Sequence, residues 1–316
     1  MDESLISVAF YNVENLFDTH DSKHTLDRDF TPKGKKKWGP YRYQLKIKKI
    51  GKAISKIGNS DCYLPPVLVG LAEIENREVL QDLIKSDDLQ YLPYDFVHYD
   101  SPDERGIDVA LLYNKNEFQV IESKPIPVLI HEKNGVRDYT RDILYVKGIL
   151  NEEILHIYVN HWPSKRNGYD ETRAKRIEIA HMLHAEINQI DEENPNIIVM
   201  GDFNDNPNDD SIKGHLTTNG IINPSALLFL EGKGTSKFYG EWMLFDQILI
   251  SNNFITNEKL KFKDVCIFNE EFLKNPKGRF KGEPFRTYSG RYYLGGYSDH
   301  FPIYSLFKKK TNADLD

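Results

Sequence analysis

Two short polar motifs contain residue types that could carry out acid–base or metal chemistry. The motif Gly-Asp-Phe-Asn at residues 201–204 follows an apolar run, and its glycine permits a tight turn that points Asp202 and Asn204 the same way. The motif Tyr-Ser-Asp-His at residues 297–300 places the carboxylate of Asp299 beside the imidazole of His300. A turn is the competing interpretation of both motifs, with a structural histidine in the second. As functional groups they offer a general base, an amide donor and an imidazole with an acidic neighbour.

Three further polar residues follow predicted strands. Glu73 closes the apolar run 67–72. We favour a metal ligand over a salt bridge there, because a carboxylate at a buried strand end is costly unless it is paired or bound to a metal. Asn12 lies where the first strand should stop, although the N-cap of a helix would also explain it. His161 ends the run 154–160, and its neighbour Trp162 is expected to pack rather than to bind.

The positions of these residues depend on a predicted series of strands and helices. Short apolar runs rich in β-branched or aromatic residues predict strands at 5–11, 67–72, 107–113, 154–160, 196–200, 247–250 and 301–307. Apolar residues spaced three and four apart predict helices at 44–57 and 172–190, with a third at 78–85. Strands that alternate with helices predict α/β layers with a mixed sheet.

The candidate residues fall at two kinds of strand end. Four of them follow predicted strands: Asn12, Glu73, His161 and Asp202. Four others come at or just before the start of predicted strands: Asp108, Asp246, Asp299 and His300. If the second group of strands runs antiparallel to the first, both groups reach the same edge of the sheets. We therefore expect one cleft at that edge, where α/β proteins commonly place ligands.

The order of these residues resembles the endonuclease/exonuclease/phosphatase superfamily, which includes pancreatic-type deoxyribonucleases, apurinic/apyrimidinic endonucleases, inositol polyphosphate 5-phosphatases and bacterial sphingomyelinases. The resemblance extends from Phe10 to Ile303, and Gly-Asp-Phe-Asn and Ser-Asp-His are its most specific pieces. It implies an α/β fold of four layers, with two mixed β-sheets packed face to face and helices on the outside. It also implies a hydrolase that cleaves phosphate esters with a divalent metal.

The resemblance implies a metal site made of oxygen ligands. Glu73 would be the principal carboxylate ligand, with Asn12 beside it and Asp299 as a second acidic ligand, direct or through water. Glu14 matches a position that is acidic in some members and would assist. Carboxylate and amide oxygens suit Mg²⁺ or Mn²⁺, which neutralise the charge that makes a phosphodiester resist attack.

The resemblance also implies roles in the reaction. Asp202 would orient or deprotonate the attacking water, and Asn204 would donate to a phosphate oxygen. His300 would contact the phosphate, and Asp246 would orient the imidazole of His300.

His161 separates this chain from the apurinic-endonuclease branch, which has asparagine there, and matches the deoxyribonuclease and sphingomyelinase branches. In the deoxyribonuclease branch this histidine pairs with an acid on a strand. Asp108 matches that acid, although a simple turn residue is the competing interpretation. Each histidine would then have a carboxylate that fixes its tautomer and raises its pKa, so that one serves as base and the other as acid. The sequence leaves open which histidine does which.

A nuclease that acts on DNA or RNA is the predicted function. Residues 33–56 contain ten Lys or Arg and no Asp or Glu, with Trp38, Tyr41 and Tyr43 interleaved. Such a segment can follow a phosphate backbone and stack on bases. The competing interpretation is a solvated helix face formed by four lysines: Lys46, Lys49, Lys52 and Lys56.

Two alternatives change the substrate or remove the catalysis. The first is a phosphatase or phospholipase C-type hydrolase acting on inositol phosphates or sphingomyelin-like phospholipids. A membrane-active version would need an exposed apolar hairpin, and the only short apolar run of that kind, 227–230, is expected to lie in the core. The second, more remote, alternative is a non-catalytic binding domain, which the retention of both histidines and all candidate metal ligands disfavours.

Composition limits the remaining questions. The 316 residues carry a net charge of −7, which argues against a broadly basic nucleic-acid coat but not against a local basic groove. We predict a single domain over residues 1–316, with a core at about 5–307 and a short polar tail, acting as a monomer without stable membrane insertion. Two cysteines could form one disulfide, although we do not expect it. A cytoplasmic protein is expected unless a leader was removed, which would make it a secreted one.

Overall fold

A computed structural model describes residues 4–132, 134–165 and 168–310, with the side chains of residues 169–171 left aside. Its strands are, in chain order, β1 (Leu5–Leu16), β2 (Leu68–Ile74), β3 (Tyr94–His98), β4 (Asp108–Asn114), β5 (Phe118–Ile126), β6 (Ile130–His131), β7 (Arg137–Asp138), β8 (Ile143–Leu150), β9 (Glu153–His161), β10 (Asn196–Asp202), β11 (Ile221–Ile222), β12 (Ser236–Phe238), β13 (Glu241–Met243), β14 (Asp246–Ser251), β15 (Leu260–Ile267), β16 (Tyr288–Ser289), β17 (Tyr292–Tyr293) and β18 (Ile303–Lys309). The α-helices are α1 (Pro40–Ile54), α2 (Asn59–Cys62), α3 (Arg77–Ile84), α4 (Tyr169–Ile187), α5 (Ala226–Leu230) and α6 (Asn253–Thr256). Shorter helical turns cover Arg28–Phe30, Ser211–Leu216 and Glu271–Leu273.

Two six-stranded sheets form the centre of the fold. The first has the order β15-β18-β1-β2-β4-β3 and the second the order β11-β14-β10-β9-β8-β5. Both are mixed: β1 runs parallel to β2, and β9 runs parallel to β10, whereas β18, β4 and β14 are antiparallel to their neighbours β1, β2 and β10. The carboxyl ends of the parallel strands therefore share an edge with the amino ends of β4, β14 and β18. This confirms the predicted convergence.

Three apolar clusters hold the layers together. One lies between the sheets and contains residues of both, such as Phe10 and Met200. A second joins the outer face of the first sheet to α1 and α3. A third joins the outer face of the second sheet to α4. Apolar residues spaced three and four apart bury one face of α1, which begins at Pro40 just after Gly39. The layers are helix, sheet, sheet and helix, so the predicted four-layer sandwich is confirmed.

All seven predicted strands and three predicted helices correspond to observed elements, with ends that differ by a few residues. Five strands of the two large sheets were not predicted: β3, β5, β8, β11 and β15. Both cysteines are free. Among the helices of the described ranges, none has the length and apolar character needed to span a membrane. Most of the predicted polar tail, residues 311–316, lies outside the described residues.

The apolar run 227–230 is not the core segment that the sequence predicted. It forms most of the short helix α5, in which Leu227 and Leu230 are 68% and 80% exposed. Only Leu228 and Phe229 pack against the core between the sheets. A helix of five residues that packs against the core through Leu228 and Phe229 buries one side only.

Candidate active site

Three of the predicted catalytic residues lie side by side in the second sheet. Asp202, the last residue of β10, is in register with His161 on β9 and with Asp246 on β14. Residues opposite one another on neighbouring strands point to the same face, so the three side chains form a row. A Cβ on Gly201 would lie 2.5 Å from the carbonyl oxygen of Asn160. The glycine of the Gly-Asp-Phe-Asn motif is therefore needed where β9 and β10 approach each other.

Glu73 reaches this row from the first sheet because a β-bulge interrupts β2 at that residue. Its φ is 66°, and its Oε1 lies 4.0 Å from Nε2 of His161. Three neighbours of the site share this left-handed conformation: Glu14, Asn15 and Asn204, with φ of 52°, 51° and 51°. Such residues cost about 1–3 kcal/mol each and cluster at functional sites, where bulges re-aim side chains. The site is thus a place where the fold accepts strain.

Asp202 lies at the centre of the site. Its Oδ2 accepts a hydrogen bond from Nδ2 of Asn12 at 2.9 Å, and its Oδ1 accepts one from the backbone N–H of Asn204 at 3.0 Å. Nε2 of His161 lies 3.8 Å and Nε2 of His300 lies 3.9 Å from its Oδ2. Burial raises the pKa of Asp202 to about 6, although the charge of His300 and the two hydrogen bonds oppose the rise.

His300 and Asp246 form the predicted dyad. Nδ1 of His300 lies 2.6 Å from Oδ2 of Asp246, and the hydroxyl of Thr235 donates to the same oxygen at 2.5 Å. Burial by itself lowers the pKa of His300, but the carboxylates of Asp246 and Asp202 outweigh it and raise the pKa well above its usual value. These carboxylates therefore favour the cationic form of His300. These three groups also lie within 4.8 Å of one another and could hold an ion, but the short His300–Asp246 bond favours a dyad.

The predicted Asp108–His161 pair is not formed. Asp108 accepts hydrogen bonds from the backbone and hydroxyl of Ser101, at 3.0 and 2.5 Å, and contacts Nε2 of His98 at 3.2 Å. Nδ1 of His161 is buried and, among the described residues, has no hydrogen-bond partner. Burial lowers the pKa of His161 well below its usual value, and the charge of Arg141 lowers it further. The expectation of a raised pKa is wrong for His161, because no carboxylate among the described residues hydrogen-bonds to its ring and burial favours the neutral form.

The residues predicted to hold a divalent metal supply hard oxygen atoms at the shared edge of the sheets. Glu73 accepts a backbone hydrogen bond from β1 at 2.7 Å, and Asp299 accepts one from Arg286 at 3.2 Å. Asn12 connects this group to Asp202. Because burial raises the pKa of Asp202 to about 6 despite the charge of His300, a nearby dication would further stabilise the ionised form of Asp202. Carboxylate and amide donors of this kind fit a hard cation such as Mg²⁺ or Mn²⁺.

Glu14 is held by Lys46, one of the four lysines for which a solvated helix face is the competing interpretation of the sequence. Lys46, 2% exposed, has its Nζ 4.0 Å from Oε2 of Glu14. Its ammonium donates to the hydroxyl of Thr287 at 2.6 Å and to the carbonyl of Tyr297. Burial raises the pKa of Glu14 to about 7 and lowers that of Lys46 to about 8. A solvated role for Lys46 is therefore wrong, and metal ligation by Glu14 stays a prediction.

Other cations of the basic segment 33–56 also contact the protein itself. Nζ of Lys36 donates to the carbonyl of Gly290 at 2.7 Å, and the guanidinium of Arg42 lies 4.3 Å from the ring centre of Tyr293. Lys49 donates to another carbonyl of the same stretch. Together with Lys46, these residues attach α1 and its leading loop to residues 287–297, which immediately precede Asp299 and His300. These four of the ten cations of the segment are therefore engaged in contacts within the protein.

Two arginines complete the surroundings of the site and were not identified from the sequence. Nη2 of Arg105 lies 3.7 Å from Oε2 of Glu73, and its proximity to Asp108 in the sequence was the only signal. Arg176 on α4 is fully buried. It donates to Oδ2 of Asp205 at 2.7 Å and to the carbonyl of Pro163 at 3.1 Å, and thereby joins the loop after His161 to the loop after Asp202.

This fold and this row of carboxylates and imidazoles define a phosphoesterase of α/β sandwich type. The sequence matches the model of the Endonuclease/Exonuclease/phosphatase family over residues 7–309, and the chain belongs to that family. The resemblance found in the sequence is therefore confirmed. Among curated proteins, none matches this chain.

Several solved structures share the fold. TDP2 from D. rerio, solved with a single strand DNA product, has 18% identity and a TM-score of 0.59, covering 96% of this chain and 99% of that one. An endonuclease/exonuclease/phosphatase from Bacteroides vulgatus has 15% identity and a TM-score of 0.58, covering 98% and 100%. The mannosyl-6-phosphatase Bt3783 of Bacteroides thetaiotaomicron has 14% identity and a TM-score of 0.57, covering 96% and 99%. Likeness at such low identity concerns the fold alone.

Proposed function

We propose that this protein is a divalent-metal-dependent phosphodiester hydrolase that acts on nucleic acid. The observation that carries the proposal is the carboxylate of Asp202 between two imidazoles, with Nε2 of His161 at 3.8 Å and Nε2 of His300 at 3.9 Å. Burial lowers the pKa of His161, whereas Asp246 and Asp202 outweigh burial and raise that of His300. A neutral ring, a carboxylate and a cationic ring together can activate a nucleophile and stabilise developing negative charge.

Each side chain of the row has a role in this proposal. Asp202 accepts a proton from the attacking water, for which a pKa of about 6 is suitable near neutral pH. His300, cationic and fixed by its carboxylate partner, donates to a phosphate oxygen. Asn204 uses one amide hydrogen on the carbonyl of Trp162 at 2.9 Å and has a second for the phosphate. His161, neutral and buried, positions the water or the leaving oxygen.

Metal binding is assigned to Glu73, Asn12 and Asp299. A bound Mg²⁺ or Mn²⁺ would neutralise the negative charge of the phosphate and stabilise the leaving oxygen. Glu14, which accepts a 2.6 Å hydrogen bond from the backbone of Thr287, would hold the residues before Asp299 in place. In this proposal Glu73 and Asp299 bind the metal, and Glu14 holds the chain that carries Asp299.

Nucleic acid is the proposed substrate because one structure with this fold, TDP2 from D. rerio, was solved with a single strand DNA product. A phosphatase that acts on a phosphorylated sugar is the second candidate, since another structure with this fold is a mannosyl-6-phosphatase. The two differ in the bond cleaved: a diester in the first case and a monoester in the second.

The test compares single-stranded DNA, RNA, a bis-aryl phosphodiester, an aryl phosphate monoester and mannose 6-phosphate, each with EDTA and with Mg²⁺ or Mn²⁺. We expect diester and oligonucleotide hydrolysis that requires the metal. Asp202→Asn should lower kcat by about 100-fold or more while the protein stays folded. Full activity in EDTA would contradict the metal dependence, and hydrolysis of monoesters alone would favour the phosphatase.

A further inference from the structure

A cavity of about 370 Å³ opens beside Asp299, outside the row of catalytic residues. One wall is the hairpin of β12 and β13, and the other is the stretch 275–294. Its lining includes Tyr239, Phe280, Arg279 and Lys237. Pockets that bind ligands of drug size start at about 300 Å³, so this cavity has room for one nucleotide-sized group.

Tyr239 occupies an unusual position at the tip of that hairpin. Tyr239 and Gly240 form its two-residue loop, and both have positive φ, 50° and 91°. Loops of this kind strongly favour asparagine, aspartate or glycine at the first position, because other side chains are strained there. The tyrosine is nevertheless 93% exposed, and it lines the cavity. Its ring contributes little to the core, so a ligand that stacks on it would explain why a tyrosine stands there.

The charges of the cavity favour an anionic ligand. Lys237 pairs with Glu283 at 3.3 Å, and Arg286 pairs with Asp299 at 3.2 Å. Arg279 has no carboxylate within 4.0 Å among the residues that the structure describes, and its guanidinium lies over the ring of Phe280 at 5.6 Å. Phe280 is itself 49% exposed. An aromatic face beside a guanidinium without an acidic partner is suited to a base and its phosphate.

The hairpin is attached directly to the catalytic residues. The hydroxyl of Ser236 donates to the backbone carbonyl of Asp299 at 3.1 Å, and Ser236 forms a β-bridge with His300. Thr235, one residue earlier, holds Asp246. Tyr239 is only three residues beyond Ser236, so a ligand in the cavity has a fixed position relative to a phosphate at His300.

We propose that this cavity binds the nucleotide next to the scissile phosphate of a single-stranded nucleic acid. The base stacks on Tyr239 and Phe280, and the phosphate of that nucleotide pairs with Arg279. A single strand is required because a base inside a duplex cannot reach an aromatic face without leaving its stack. This inference rests on the proposed function and adds to it the form of the substrate.

The test uses Tyr239→Asn, which removes the ring and places a better residue in the strained turn. We expect kcat/KM for a single-stranded oligonucleotide to fall about 5- to 100-fold, mainly through KM, the range that base–aromatic stacking provides. Hydrolysis of the bis-aryl phosphodiester should be unchanged, and Tm should be unchanged or higher. Tyr239→Phe should keep full activity. The matched control is Tyr91→Asn. This tyrosine is 89% exposed and lies near the ends of β3 and β4 that face away from the candidate active site.

A second variant tests the phosphate contact. Arg279→Gln should weaken oligonucleotide binding and reduce the slope of log K against log salt by about 0.7, the value for one phosphate contact on a single strand. Unchanged oligonucleotide kinetics in both Tyr239→Asn and Arg279→Gln would overturn the subsite but leave the nuclease function standing. An equal loss on the oligonucleotide and the small diester would also overturn it. A wild-type protein that cleaves small esters but no oligonucleotide would overturn the nuclease function, and this subsite with it.

Discussion

Arg176 and Asp205 form a buried ion pair that should stabilise both loops of the catalytic row. The side chain of Arg176 is 0% and that of Asp205 2% exposed, and their Nε–Oδ2 distance is 2.7 Å. Burial raises the pKa of Asp205, but the hydrogen bond and charge of Arg176 outweigh it, so that the pKa is lowered. Removal of either partner should therefore leave a buried charge without its main partner, which typically costs about 3–5 kcal/mol.

The structure predicts which single substitution costs more. After Arg176→Met, Asp205 still contacts Lys165 at 3.1 Å and accepts from the hydroxyl of Ser211 at 2.7 Å, so the cost should be near the lower limit, about 3 kcal/mol. After Asp205→Asn, Arg176 cannot lose its proton and stays charged in a site without a carboxylate, so the cost should approach about 5 kcal/mol. The double variant removes both charges together, so it loses hydrogen bonds but leaves no unpaired charge. Its free energy of unfolding should therefore be close to that of the wild type.

Urea unfolding at pH 7.5 of the wild type, both single variants and the double variant measures these differences. Because the pKa of Asp205 is lower in the folded than in the unfolded protein, the ionised carboxylate stabilises the fold at any pH above its unfolded pKa. This contribution to the free energy of unfolding is lost as the pH falls, so the difference in stability between the wild type and the variants should shrink below about pH 4. Both single variants should also lower kcat, because Pro163 and Asn204 lose a common support. The reasoning is refuted if Arg176→Met costs more than Asp205→Asn, or if the double variant is no more stable than the worse single variant.

Three further outcomes follow from the row itself. Because the pKa of Asp202 is raised to about 6 in the fold, the metal-free protein should lose stability as the pH rises from about 4 to 6, and Mg²⁺ should raise Tm more at pH 7.5 than at pH 4.5 in a thermal scan; an equal gain at both would contradict this. His161→Ala should lower kcat on the small diester by about 100-fold or more, whereas Asp108→Asn should leave it within a few-fold, as steady-state kinetics can show. Asp246→Asn should lower kcat by part of the loss seen in His300→Ala. It should also lower the pKa that His300 contributes to the pH–rate profile, and an unchanged profile would show that the dyad does not set the charge of His300.

Most of the candidate catalytic row could be predicted because its signals are local. Each residue is polar and stands at the end of an apolar run, as Asp202 does after β10 and His161 at the end of β9. Parallel and antiparallel pairing then brings such ends to one edge, which is why Asp246 joins them from β14. The sequence pattern identified the strand ends, and the alternation of strands and helices identified the sheet that joins them.

The partners of these residues could not be predicted, because they depend on contacts between distant elements. Asp108 faces His98 on β3, a strand whose alternating burial and short length gave no apolar run to recognise. Arg176 and Lys46 are charged residues on helices, and a charged residue is most often exposed. Their partners, such as Glu14 for Lys46 and Asp205 for Arg176, lie on other elements, and no spacing within either helix indicates those contacts. The same limit explains why β5 was missed, since four of its nine residues are exposed at the sheet edge.

The sequence indicated a basic, aromatic-rich segment for substrate binding, but the segment that lines the cavity is a different one. Residues 33–56 and residues 274–294 are both rich in Lys, Arg and aromatic rings, and only the first was noticed in the sequence. In the fold the two pack on each other through contacts such as Lys36 with Gly290, so several cations of the first contact the protein itself, whereas Arg279 of the second lines the cavity. Lys36→Met should therefore lower hydrolysis of small and polymeric substrates alike, because it loosens the stretch before Asp299. Arg279→Gln should affect only the polymer, and parallel kinetics on the two substrates distinguish these roles.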